Sequence, residues 1–147
     1  MNNEKVREFV SQLEHVEESV QWGHQLVFWA GHKAIGGKMF AMLDLVGPGT
    51  DKAQCVAMLA AGPEGMAELC EMEGIRPAPY LARAHWVCVE RWDALPWPAW
   101  KQALARAHEI VFARLPPRTR KILGMEPKAR ARMVRERKAL LKLRAAK

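Results

Sequence analysis

Histidines, cysteines and paired carboxylates are the side chains best able to do chemistry, and in this chain none sits at a spacing that a reaction requires. His24, His32, His85 and His108 show no recognisable catalytic carboxylate or nucleophile partner in the sequence, so each reads as structural. His85 and Cys88 form the one close mixed pair. On a strand that spacing sends the two side chains to opposite faces, and with no Cys-x-x-Cys or His-x3-His pair a zinc site is not expected. Glu17-Glu18 and the Glu68, Glu71, Glu73 cluster could serve as acid pairs or as an iron-binding ridge. The first helix is too evenly balanced in charge for a ridge, and a solvated surface is the simpler reading. Gly-rich phosphate loops, nucleophile elbows and zinc-protease helices are absent. The expectation is a protein that binds rather than catalyses, with no cofactor and no metal.

Binding chemistry is concentrated at the C-terminus. Residues 1–116 carry a net charge of −3, whereas residues 117–147 carry +10, within a chain whose total is +7. The cations are Arg118, Arg120, Lys121, Lys128, Arg130, Arg132, Arg135, Arg137, Lys138, Lys142, Arg144 and Lys147. Several cations on one element attract polyanions by releasing condensed counterions, with no base contact needed. The competing readings are a solvated helix face and docking onto an acidic protein or membrane surface.

A second candidate surface is aromatic. Phe28 and Trp29 are neighbours on a predicted strand and must point to opposite faces. Phe40 with Met42, set against Met39, Ala41 and Leu43, repeats the pattern, as does Trp86 with Cys88 against Val87 and Val89. Both faces of the sheet are therefore apolar. If helices cover one of them, the other is left for a dimer partner, a ligand or stacked bases, unless a loop or the C-terminal helix closes it.

The elements that position these groups follow from periodicity. Val6, Phe9, Val10 and Leu13 mark an amphipathic helix, capped by Asn2 or Asn3 and ending near residues 14–16. Extended segments are predicted at Gln25 to Ala30, Lys33 to Ile35 (strand or wide loop) and Lys38 to Leu45, broken by Gly31-His32 and Gly36-Gly37. Gly47-Pro48-Gly49-Thr50 is a turn, and Cys55 to Ala60 a further strand. A short helix starts at Pro63 and stops at Gly74; Arg76 to Arg83 reads as a loop and His85 to Glu90 as a strand. Trp97, Trp100, Leu104, Ala107, His108, Val111 and Leu115 trace a long helix ended by Pro116-Pro117. A segment to Gly124 and a helix from Pro127 to about Ala145 complete the chain. Segregated strands and helices argue for α+β, with one body over 1–117 and a basic helical tail over 118–147.

Half the residues are hydrophobic, six of them Trp, enough for one sizeable core. The polar opening at Asn2, Asn3, Glu4 and Lys5 does not suit a secretory signal, and no apolar run reaches the roughly 20 residues that span a bilayer. Three cysteines without close spacing suit a reducing compartment better than a disulfide framework, so a cytoplasmic protein is expected.

Three stretches together resemble the YjbR or MmcQ family: Gly36-Gly37-Lys38-Met39-Phe40-Ala41, then Gly74-Ile75-Arg76-Pro77-Ala78-Pro79-Tyr80 running into His85-Trp86-Val87-Cys88-Val89, and Leu115-Pro116-Pro117-Arg118. The resemblance covers roughly residues 3–120. It implies a CyaY-like, frataxin-like α/β sandwich, an antiparallel sheet with helices on one face, and the DNA-binding label the family often carries. Ala82 and Ala84 flank Arg83 where relatives tend to carry polar or basic residues, which weakens a nucleic-acid role for that loop. The basic tail lies outside the shared region. The expected function is nucleic-acid (DNA) binding through non-specific phosphate contacts. The alternative is a ligand-binding domain, or an interaction module that uses the apolar sheet face for a homodimer or an acidic protein partner.

Overall fold

The computed structural model describes residues 3–45 and 55–146. Its elements in chain order are α1 (Asn3–Ser11), β1 (Val16–Gln21), β2 (Gln25–Ala30), β3 (Lys38–Asp44), β4 (Ala57–Ala60), α2 (Gly62–Leu69), β5 (Ile75–Pro77), β6 (Trp86–Val89), α3 (Trp97–Ala113), α4 (Pro117–Leu123) and α5 (Pro127–Ala145). The six strands form one antiparallel sheet in the order β1-β2-β3-β4-β6-β5. The expected α+β class is the observed one. The Gly47-Pro48-Gly49-Thr50 turn and the Asn2 cap lie outside the described residues. Among the described residues no helix is long and apolar enough to cross a membrane.

The spacing of apolar residues explains how α3 sits on the sheet. Trp100, Leu104, Ala107 and Val111 recur at intervals of four and three, and all are buried where the helix crosses β2, β3 and β4. Trp100 is fully buried, and its indole N–H is satisfied by the Trp92 carbonyl at 3.0 Å. α1 presents Val6 and Val10 to the same core, and its Phe9 meets Trp97 of α3 edge-on. Pro63 opens α2, which covers β5 and β6.

Several expectations are corrected. Lys33 to Ile35 is a single 3-10 turn, closed by Gly36 in the left-handed region at φ 95°. The first helix stops at Ser11, leaving room for β1, an edge strand of polar composition. Arg76 and Pro77, expected in a loop, continue from Ile75 as a strand paired with β6. A register shift between Phe28 and Trp29 leaves Phe40 as an extra residue on β3. Such a bulge re-aims a side chain: Phe40 lies near Phe28 and edge-on to His108 of α3.

The cysteines are the largest correction. Cys55 and Cys88 form a disulfide, with Cα atoms 5.6 Å apart, and Cys70 is free. Cys55 enters β4 just where Val56 donates its N–H to the Val89 carbonyl, so the cross-link extends the β4–β6 pairing.

Candidate nucleic-acid interface

The Gly36-Gly37 pair is where the C-terminal helices meet the body. At Gly36 a Cβ would stand 2.5 Å from Thr119 Oγ1, and at Gly37 2.6 Å from the Gly31 carbonyl oxygen, so both positions need glycine for close approach. Ile35, Leu115, Ile122, Leu123 and Val134 form a second apolar cluster spanning the turn, α4 and α5. The buried Thr119 hydroxyl donates to the Ile35 carbonyl at 2.6 Å, Arg130 Nη1 donates to the Leu123 carbonyl at 3.2 Å, and Lys138 lies 3.4 Å from the Glu17 carboxylate. The basic segment is therefore docked, and a boundary at 117/118 cuts through a shared cluster. Thr119→Val should cost about 1–2 kcal/mol of stability, because it leaves a buried carbonyl without its donor. A denaturant titration of the full chain would read this as a lower midpoint at unchanged slope.

Docking leaves most of the predicted cations free. On α5, Lys128, Arg132, Arg135 and Lys142 are all exposed, and steps of four, three and seven place them along one face. Arg130 and Arg137 are half-buried on the side toward the body, while Lys138 and Arg144 are exposed. Arg118, Arg120 and Lys121 are exposed on α4. Among the described residues only two of these cations meet a carboxylate: Lys138 on Glu17, and Arg132 on Glu136 at 3.3 Å. The latter is an exposed i,i+4 pair that water and salt weaken. Lys147 lies outside the described residues.

Of the two alternatives for the second sheet face, the covered one is observed. Val27 and Phe28, Met42 and Leu43, and Val87 and Cys88 are consecutive pairs in which both members are buried, so the centre of the sheet is sealed on both sides. Phe28, Phe40 and Trp86 are 1%, 0% and 5% exposed and offer nothing for stacking. Trp29 is half-buried, donating its indole N–H to Ser19 Oγ at 2.9 Å beneath the Lys33 ammonium. The exposed aromatics are instead Tyr80 and Trp22, both at left-handed backbone positions in turns.

The acidic and histidine candidates also find places. Glu17 accepts from His32 Nδ1 at 3.2 Å and from the Lys33 backbone N–H at 3.1 Å, while Glu18 pairs with Arg7 and Glu68 with Arg106. Burial alone would raise the Glu17 carboxyl, but its bonds to His32 and Lys33 outweigh that and hold it below the usual carboxylate range. These are docking contacts, not an acid pair. His15 and His108 each stack with Phe112, with ring centroids 5.9 and 5.7 Å away.

Burial lowers the pKa of His108, and burial together with the nearby Arg130 lowers that of His15. A depressed histidine is neutral in both folded and unfolded chains above its unfolded value. Stability should therefore fall as pH drops below about 6.5, where the unfolded chain takes up protons first. Thermal melts of the native chain and of His108→Gln across this range should show a shallower acid slope for the variant.

Sequence reasoning missed three residues. Lys38 and Arg114 are exposed cations of the body that line one hollow beside Trp86. His15 lines another hollow with Arg120 and Lys121. Nothing in their local sequence marks them, because it is the fold that sets Lys38 beside Arg114, and His15 beside Arg120 and Lys121.

The fold is that of an antiparallel sheet covered by helices, with a basic helical pair docked at one end. The chain belongs to the YjbR family, whose sequence model matches residues 11–110. The crystal structure of Deinococcus radiodurans protein DR2400, a DUF419-domain protein, is similar at a TM-score of 0.69, covering 85% of this chain and 89% of that one. At 24% identity this likeness shows the shared fold alone. No curated protein matches the chain significantly. The family match ends before α4, so the cations of α4 and α5 lie beyond it.

Proposed function

We propose that the protein binds nucleic acid through its phosphate backbone, using the cations of α4 and α5 as a preformed surface. The observation that carries this reading is that the exposed stripe Lys128, Arg135 and Lys142 has no carboxylate partner among the described residues. Docking fixes these charges in space, which lowers the ordering cost of binding relative to a loose tail. Most of the affinity is electrostatic and independent of base sequence. The role is binding and not catalysis, with no cofactor required, and the cytoplasm is where such a partner is met. The Cys55–Cys88 bond, 3% and 0% exposed at its two residues, is shielded from soluble reductant there.

A salt titration tests the reading. Fluorescence anisotropy of a labelled duplex with the full chain should give log K falling linearly with log salt, at a slope of about −3 to −5 for several phosphate contacts. A slope near zero, or no binding at low salt, would eliminate nucleic acid as the partner.

A further inference from the structure

Around the corner where α3 gives way to α4, three hollows share a composition: each is lined by two cations and by no carboxylate. The first, of 200 Å³, holds Lys38 and Arg114; the second, of 260 Å³, holds Arg118 and Arg137; the third, of 460 Å³, holds Arg120 and Lys121. They follow one another along the chain, since Arg114 lines the first, Pro116 the second and Pro117 the third, and Gly36 of the second stands two residues before Lys38 of the first. Two other clefts mix the two signs, with Glu68 beside Arg106 in one and Glu4, Glu8 and Glu18 beside Arg7 in the other. Cations with no carboxylate among them thus separate these three hollows from the other two clefts.

We propose that these three hollows form one track for the sugar–phosphate backbone of single-stranded nucleic acid, with Lys38 and Arg114 as binding residues supplied by the body. The proposal rests on the phosphate-binding reading above and extends it. A duplex is stiff over about 150 base pairs and stays straight across such a corner, whereas a single strand follows it. The third hollow also carries the half-buried His15 ring, held at φ 57° and stacked on Phe112, beside which a base can lie while its phosphate meets Arg120 and Lys121.

The test compares oligo-dT with a duplex of equal length, using the full chain, a Lys38→Gln/Arg114→Gln double variant and a variant with the α5 stripe changed to Gln. Both altered sets are exposed, and melting temperatures confirm folding. For the double variant the single-strand affinity should fall roughly tenfold at low salt, with a salt slope shallower by about 1.4, and the duplex affinity should change much less. Unchanged oligo-dT binding by the double variant, alongside weakened binding by the stripe variant, would overturn the track and leave the phosphate-binding reading standing. Equal losses on both probes would overturn the single-strand assignment. If neither variant weakens binding, the phosphate-binding reading falls and the track with it.

Discussion

Replacing Lys128, Arg132, Arg135 and Lys142 together by Gln should raise the Kd for a DNA duplex by roughly 100-fold or more near 0.1 M salt, and flatten the salt slope by about 2 to 4. The expected size follows from counterion release: each phosphate contact removed subtracts about 0.9 from the slope, and two to four of these exposed side chains can reach one backbone at a time. Glutamine removes the charge and has a helix propensity close to that of Lys and Arg, so α5 should persist. The four positions are exposed and contribute nothing to the cluster of Ile35, Leu115, Ile122, Leu123 and Val134 that docks the helix. Stability should stay within about 0.5 kcal/mol of the parent. Anisotropy titrations at several salt concentrations, with melting curves alongside, separate lost affinity from lost fold. This design is better than truncation at the end of α3, which would expose Ile35 and Leu115 and change the body as well as the charge.

Reducing the Cys55–Cys88 bond should lower the unfolding free energy by roughly 3–4 kcal/mol, the value expected when a cross-link separated by 33 residues no longer restricts the unfolded chain. The bond joins the entry of β4 to β6, so its loss acts where the middle of the sheet is assembled. Guanidinium unfolding with and without reductant would measure the difference. Thiol counting on the unfolded chain should give one reactive group, Cys70, before reduction and three after it. Three thiols without reductant, or identical unfolding curves, would contradict the cross-link. In the folded chain Cys70 should react slowly, because burial pushes its thiol pKa up.

Legibility in the sequence followed the strength of the periodic signal. α3 could be read because Trp100, Leu104, Ala107 and Val111 hold a helical spacing over a long stretch, and α5 because Pro127 marks its start. β1 could not, since Glu17, Glu18 and Ser19 on an edge strand lack the apolar alternation that marks a half-buried strand. β5 is three residues long and ends in Pro77, the composition of a loop. The disulfide depends on sheet register, which puts β6 beside β4, and cysteine spacing carries no trace of that pairing.

The site divides in the same way. Charge segregation is a property of composition, so the cations of α4 and α5 were visible before any fold was known. Apolar content on both sheet faces was visible too, but not that both faces would be covered, which depends on packing. Lys38 and Arg114 were hidden inside a body of net charge −3, because an average over 116 residues erases a local reversal of sign that only the fold creates.

The most direct measurement of where nucleic acid binds is an amide chemical-shift titration of the labelled full chain with oligo-dT. Resonances of α4, of the Lys128-to-Lys142 stripe, and of residues around Arg114 and Lys38 should move together and return as salt is raised. Shifts confined to the turns that carry Tyr80 or Trp22, with α4 and α5 silent, would contradict the account.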